Sequence, residues 1–156
     1  MRKILTASAL LLSMVSMASA NVSIASTSYQ KMTKVLESGE KVEEWARTST
    51  VVPGMVIRYV NSLENRGEKE ATKLVVKNSV PNNMEYIADT ASCQDACIVT
   101  YSIDGGKSFK KASELFLGEG KDRHQARPSE YTDIRWVVEK LDASSQSSVE
   151  YRARLK

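Results

Sequence analysis

The residues whose types and spacing could support chemistry lie in the second half of the chain. Cys93 and Cys97 stand four residues apart, the stretch SIDGGKSF occupies residues 102–109, and His124 is the only histidine. A cysteine pair can form a disulfide, bind a metal or stay reduced. An Asp-Gly-Gly stretch can form a hairpin turn, a calcium loop or a phosphate-binding loop, and a histidine can act as a general base. Each interpretation requires different surroundings in the sequence.

The residues around Asp104 have the features of a hairpin turn between two strands. Gly105 and Gly106 tolerate the positive φ angles that tight hairpin turns require. A calcium loop needs six or more oxygen ligands, and Asp104 is the only carboxylate nearby. A phosphate-binding loop is followed by a helix, whereas a strand is expected after Gly106. The sequence therefore predicts a turn here, with ion binding as the alternative.

Charged and aromatic residues follow this turn. Lys107, Lys110 and Lys111 flank Phe109, and with Asp104 they form a candidate ligand loop. Such a loop could contact an acidic polysaccharide or the phosphate of a lipopolysaccharide, because clustered lysines attract anions. The alternative is an ordinary solvated run of charges on a strand and its turn.

Cys93 and Cys97 are predicted to form a disulfide, because the chain is expected to be exported and oxidising compartments favour disulfides. A zinc site needs about four ligands, which two cysteines and one histidine do not supply without carboxylates. Two free buried thiols are the remaining alternative. Residues four apart in a strand are separated by about 13 Å, whereas a disulfide needs Cα atoms within about 7 Å. The pairing therefore requires a tight turn at residues 94–96.

His124 is predicted to be an exposed loop residue without a catalytic role. A hydrolytic triad needs a nucleophile, a base and an orienting carboxylate, and no Gly-x-Ser-x-Gly nucleophile elbow is present. The neighbouring Arg123 and Arg127 disfavour a second positive charge on the imidazole. The sequence therefore predicts no enzyme, catalytic residue, metal or cofactor, with a small envelope hydrolase around His124 as the alternative.

Residues 1–20 have the pattern of a cleavable signal peptide. An Arg-Lys pair precedes an apolar stretch, and an Ala-Ser-Ala cleavage site ends at Ala20. The apolar stretch is short for a membrane span, which makes a retained membrane helix the weaker alternative. We therefore expect export to the periplasm or the extracellular space, no transmembrane segment after cleavage, and a single domain at residues 21–156.

The charge of the mature chain gives no reason to expect a nucleic-acid partner. Residues 1–20 contain two of the 22 basic residues and none of the 19 acidic ones, so cleavage lowers the formal charge from +3 to +1. Nucleic-acid binding depends largely on a basic surface that neutralises phosphates. Export argues further against such a partner.

Four stretches of the mature chain alternate between apolar and polar residues with a period of two, which is typical of half-buried strands. The predicted inward faces are 55, 57 and 59; 74, 76 and 80; 134, 136 and 138; and 149, 151, 153 and 155. A long opening strand, a turn at Ser38-Gly39 and a returning strand through Val42 and Trp45 are expected before them. Trp136 and Trp45 are both expected in the core. Regularly spaced strands without helical crossovers indicate an all-β antiparallel sandwich.

The chain also resembles the conserved-repeat domain of bacterial surface proteins, called domain of unknown function eleven, in a solitary exported form. The resemblance covers about residues 48–155. It rests on the order and spacing of short motifs: Pro53-Gly54, Tyr59, Asn65-Arg66-Gly67, Asn78, Pro81, Tyr86, Ser102 to Gly106 and Ile134 to Trp136. It implies an immunoglobulin-like β-sandwich of Greek-key type, in an envelope or secreted protein without enzymatic activity.

These observations predict a non-catalytic interaction or structural module of the bacterial envelope. Its partner is expected to be another envelope or surface protein or a polysaccharide, recognised through loops or an exposed strand edge. Fold alone does not identify that partner. A carbohydrate- or ion-binding module that uses the loop at residues 104–111 is the further alternative.

Overall fold

A computed structural model describes residues 20–156, so the predicted signal peptide lies outside the described residues except for Ala20. The described residues form strands and three short 3-10 helices, at Ala112–Glu114, Gly120–Asp122 and Pro128–Glu130. The strands are β1 (Val22–Val35), β2 (Lys41–Arg47), β3 (Val56–Asn65), β4 (Ala71–Ser79), β5 (Met84–Tyr86), β6 (Ser92–Cys93), β7 (Cys97–Ser102), β8 (Phe116–Leu117), β9 (His124–Gln125), β10 (Asp133–Leu141) and β11 (Ser145–Leu155). None of the helices from residue 20 onward has the length and apolar character to span a bilayer.

The strands form two antiparallel sheets that pack against each other. The larger sheet has the order β2-β1-β3-β11-β5, and β6 pairs with β11 next to β5. The smaller sheet has the order β4-β10-β7, and β8 and β9 form a separate short ribbon. The prediction of an all-β fold built from packed antiparallel sheets is confirmed.

The alternating pattern of the sequence places the core residues correctly. Ile57 and Leu63 of β3, Trp136 of β10, and Val149 and Tyr151 of β11 are at most 2 % exposed. Because successive side chains of a strand point to opposite faces, each strand supplies one apolar row to the space between the sheets. The predicted core position of Trp136 is confirmed, and its ring contacts that of Tyr151 across the sandwich at 6.0 Å between centroids.

Asn65 is a buried polar residue that ties three segments together at one end of the sandwich. Its Nδ2 donates to the backbone carbonyls of Lys69 at 2.7 Å, Asp142 at 3.0 Å and Leu141 at 3.3 Å. Its Oδ1 accepts a hydrogen bond at 3.2 Å from the backbone N–H of the residue just before β1. It accepts another at 3.0 Å from the backbone N–H of the residue two positions after Asn65. The amide therefore joins the β3–β4 turn, the β10–β11 turn and the start of β1. A side chain this buried is tolerated because its polar atoms are paired.

Asn61 interrupts the apolar face of β3 and links the two sheets. It is 1 % exposed. Its Oδ1 accepts a hydrogen bond from the Ser26 hydroxyl of β1 at 2.6 Å, and its Nδ2 donates to Oδ1 of Asn78 on β4 at 3.1 Å. Since each contact satisfies a buried polar atom, the asparagine fits an otherwise apolar layer.

The opening hairpin has the predicted form. β1 and β2 are joined by a turn in which Gly39 adopts a φ of 83°, a conformation that glycine adopts without steric cost. The pairing of β1 with β3 ends at Gln30, whereas its pairing with β2 continues to Val35. The far end of this hairpin therefore consists of β1 and β2 alone.

The expectation that Trp45 lies in the core is wrong. Trp45 is half-buried on the outer face of the larger sheet. Its ring lies 5.4 Å from Arg152 and 6.0 Å from both Arg58 and Lys31, measured to the ring centroid. The physical reason is that β2 is an edge strand, where an aromatic side chain can pack on long cationic side chains of the outer face instead of entering the core.

Candidate functional site

The loop that follows β7 is organised by the carboxylate of Asp104. Oδ1 of Asp104 accepts hydrogen bonds from the Ser102 hydroxyl at 2.6 Å and from the backbone N–H groups of Lys107 and Ser108 at 3.1 and 3.0 Å. Oδ2 accepts one from the Ser108 hydroxyl at 2.6 Å. These hydrogen bonds, that of Ser102 first, hold the pKa of Asp104 well below its usual range. Asp104 therefore stabilises the loop and its oxygens are engaged within it.

The predicted turn is present, but it is wider than a tight hairpin. Gly105 and Gly106 have φ angles of 72° and 77°, as the turn prediction requires. The chain returns to β7 only through an isolated bridge between Tyr101 and Lys110, and the strand expected after the turn does not form. The reason is that Asp104, rather than a second strand, accepts the hydrogen bonds of the loop backbone.

Phe109 lies on the outer face of the smaller sheet, next to two cations that are remote in sequence. Its ring centroid is 4.7 Å from the Arg135 guanidinium and 5.4 Å from Nζ of Lys77. Arg135 of β10 and Lys77 of β4 are direct cross-strand partners. Arg135 is also held by a 3.1 Å hydrogen bond from its Nε to the hydroxyl of Thr100 on β7. All three strands of this sheet thus help to position the cations around Phe109.

This surface carries positive charge that is not neutralised by neighbouring carboxylates. We call it the Phe109 face: Phe109, Lys77 and Arg135 lie together on the sheet, and the loop lysines 107, 110 and 111, which flank Phe109 in the chain, are counted with them. Seven ion pairs lie within the part of the chain that the structure describes, and none includes a cation of this face. Like charges that are direct cross-strand neighbours repel one another. An anionic ligand would relieve this repulsion.

An apolar row borders the Phe109 face. Val137 of β10 lies between Val75 of β4 and Ile98 of β7 in the register of the smaller sheet. Val75 and Ile98 are 53 % and 50 % exposed. The outer face of this sheet therefore combines cations, one aromatic ring and exposed aliphatic side chains, a composition suited to binding.

His124 is exposed at the start of β9, as predicted. Its Nδ1 lies 3.1 Å from the Asp122 carbonyl, and its Nε2 lies 3.5 Å from Oε1 of Glu130. Glu130 also accepts hydrogen bonds from the Arg127 guanidinium at 3.0 Å and from the Arg127 backbone N–H at 2.7 Å. These two hydrogen bonds lower the pKa of Glu130 to about 2. The surroundings of His124 are thus those of a surface ion-pair cluster.

Cys93 and Cys97 lie at disulfide distance. Their Cα atoms are 6.3 Å apart, and the residues between them form a bend between β6 and β7. Cys93 pairs with Val149 of β11 in the larger sheet, whereas Cys97 pairs with Val138 of β10 in the smaller sheet. The bend predicted from the disulfide is therefore the point at which the chain crosses from one sheet to the other.

The sequence alone does not place Lys77 and Arg135 beside Phe109. The alternating pattern of β4 and β10 placed both on outward faces, which was the available signal. Their proximity to Phe109 depends on the pairing of the two strands and on the path of the loop. Within the described residues, no group of three or more His, Cys, Asp or Glu side chains is placed to hold a metal ion.

Comparisons with protein-family models, with curated proteins and with solved structures give no match to this chain. The resemblance to the conserved-repeat domain therefore stays a prediction from the sequence motifs.

Proposed function

We propose that this chain is an exported, non-catalytic interaction module of a bacterial cell envelope, with an immunoglobulin-like Greek-key sandwich related to the conserved-repeat domain. The packed antiparallel sheets and the cysteine pair at disulfide distance fit an exported protein. The pattern of residues 1–20 supports the same localisation. The partner is an envelope or surface protein or polysaccharide that presents acidic groups.

The observation that carries this proposal is the Phe109 face. Lys77 of β4 and Arg135 of β10 lie beside an aromatic ring and near exposed aliphatic side chains, and the loop after β7 adds three lysines to the positive charge. Unneutralised clustered charge raises the local concentration of an anionic partner, and the apolar row adds contact area. The binding mechanism is charge complementarity on a sheet and the hydrogen-bonded loop beside it, which limits the entropy lost on association.

The geometry around His124 favours this function over a hydrolase. A hydrolytic base is hydrogen-bonded to the nucleophile that it activates. The contacts of His124 are instead with a backbone carbonyl and with a glutamate already engaged by Arg127. The imidazole is also about half exposed, with 49 % of its side-chain surface accessible, so water is not excluded from it.

The test is a binding measurement with a defined acidic polymer. We expect the chain to bind polygalacturonate with an affinity that falls steeply with salt, and the double variant Lys110→Ala/Lys111→Ala to bind at least about tenfold more weakly. The matched control removes Lys34 and Lys41 from the opening hairpin and should leave binding unchanged. Equal binding by both double variants would contradict the role of the Phe109 face.

Two further measurements separate the alternatives. Mass spectrometry of the protein from its native envelope should find Asn21 as the first residue, and a retained Met1 would contradict export. A folded His124→Ala variant should keep its biological activity. Loss of that activity in a folded protein would favour the hydrolase.

A further inference from the structure

An open cavity of about 410 Å³ lies between the end of β7, the segment after β5 and residues 125–131. We call it the tyrosine pocket. The larger side chains that line it are those of Tyr86, Tyr101, Tyr131, Asp89, Gln125 and Arg127, and small residues complete its walls. Its volume falls within the range of small-molecule sites. His124 is not among its lining residues.

Three tyrosines form one wall of the tyrosine pocket. The ring centroid of Tyr101 is 4.7 Å from that of Tyr131 and 5.5 Å from that of Tyr86. The hydroxyls of Tyr86 and Tyr101 are 3.3 Å apart. Burial raises the pKa of both Tyr101 and Tyr131, and the negative charge of Asp89 raises it further. A protonated phenol can donate as well as accept hydrogen bonds.

The polar side chains of the lining end in planar groups, and neighbours hold two of them in place. The Arg127 guanidinium donates to Glu130 at 3.0 Å, and the Gln125 amide donates to the Ala112 carbonyl at 3.2 Å. Asp89 has a φ of 58° in a turn, a conformation that aspartate adopts more readily than most residues. Side chains held in place before binding lose less entropy when a ligand arrives.

This combination matches the chemistry of a sugar ring. A pyranose presents apolar C–H faces together with hydroxyls that both donate and accept hydrogen bonds. Tyr101, the least buried of the three tyrosines, offers apolar ring surface, and the carboxylate, amide, guanidinium and phenol groups supply acceptors and donors. A cation-binding aromatic cage fits less well, because the three rings pack against one another and Arg127 brings positive charge.

The tyrosine pocket and the loop of the Phe109 face are joined through the backbone at Tyr101. Lys110 exchanges two backbone hydrogen bonds with Tyr101, at 2.8 and 3.0 Å. Phe109, Lys110, Lys111 and Ala112 are consecutive in the chain, and Ala112 lines the pocket. A chain of linked sugars that leaves the pocket along this segment passes the lysines before it reaches Phe109.

We propose that the tyrosine pocket binds one sugar ring of an acidic polysaccharide whose anionic groups continue along Lys110 and Lys111 to Phe109. This inference deepens the proposed function and rests on it for the acidic character of the ligand. It makes the partner a polysaccharide and assigns a separate subsite to its sugar ring.

The test uses the full mature chain and tetrasaccharides of galacturonate, mannuronate, glucose and N-acetylglucosamine. Binding is followed by calorimetry and by saturation transfer from the tyrosine rings. We expect at least one acidic tetramer to bind, and Asp89→Asn and Tyr131→Phe each to weaken it by about fivefold to tenfold, as expected for one lost hydrogen bond. Asparagine tolerates the positive φ of residue 89. The control Asp95→Asn changes an exposed carboxylate elsewhere and should have no effect.

The outcomes separate this inference from the proposed function. If Lys110→Ala/Lys111→Ala weakens binding but Asp89→Asn and Tyr131→Phe do not, the sugar subsite is refuted and the Phe109 face stands. If only the pocket variants weaken binding, the sugar subsite stands and the role of the lysines is refuted. If no tetramer receives saturation from the tyrosines, the sugar subsite is refuted, and inorganic polyphosphate then tests the lysines alone.

Discussion

Replacing Asn65 by alanine should strongly destabilise the fold although no apolar core residue is lost. The side chain is 1 % exposed and its two polar atoms join three separate segments. Alanine removes both atoms, so the backbone carbonyls and N–H groups that they contact each lose this partner, and the Asp142 carbonyl keeps only the Ser145 hydroxyl of its two side-chain donors. The cost therefore comes from unsatisfied backbone groups rather than from lost apolar contact.

The magnitude follows from the number of contacts. Asn65 makes five contacts within hydrogen-bond distance, but its Nδ2 has only two protons for three carbonyls, so about four bonds count fully. At about 1 kcal/mol net for each bond, the loss is about 3–4 kcal/mol. This is a large part of the roughly 5–15 kcal/mol that stabilises a typical domain. At roughly 3–4 °C per kcal/mol for a domain of this size, the melting temperature should fall by about 10–15 °C.

The assay is urea and thermal unfolding followed by far-ultraviolet circular dichroism and by tryptophan fluorescence. Asn82→Ala, in an exposed turn, is the control and should change stability by less than about 0.5 kcal/mol. Asn65→Asp places a carboxyl at this buried position, and burial should raise the pKa of that carboxyl in the folded state. The loss of stability caused by Asn65→Asp should therefore grow as the pH rises above about 4. An Asn65→Ala protein that melts within about 2 °C of the wild type would refute this reasoning.

Three further sets of measurements test the stability of the fold. Trp136→Ala should cost about 3–5 kcal/mol in urea unfolding, whereas His124→Ala should stay within about 0.5 kcal/mol; similar values for both would contradict the core assignment. Because the pKa of Glu130 is about 2 in the folded chain and 4.5 ordinarily, its contribution is complete above pH 4.5 and should disappear as the pH falls to 2. If the stability curves of Glu130→Gln and the wild type run parallel between pH 4.5 and 2, Glu130 makes no such contribution to stability. Reducing the Cys93–Cys97 bond should cost no more than about 2 kcal/mol, and iodoacetamide labelling of both thiols without reductant would disprove the bond.

Much of the local structure could be predicted from the sequence because it depends on neighbouring residues. The alternation in β3, β4, β10 and β11 assigned each residue to a face, since a strand has a side-chain period of two. The turn at Asp104 and the bend between the cysteines were likewise predictable, because glycine conformation and disulfide reach are short-range constraints. The same reasoning placed Trp136 in the core.

Only the tertiary structure decided which strands are neighbours and what those neighbours bring together. Lys77 and Arg135 join Phe109 because β4 pairs with β10 in one register and the loop after β7 crosses that sheet. Trp45 lies among cations outside the core because β2 is an edge strand. The tyrosine pocket likewise combines residues from β5, β7 and the segment before β10. Strand order and register result from the packing of the whole chain, whereas the alternating pattern fixes only the direction of each side chain within its own strand.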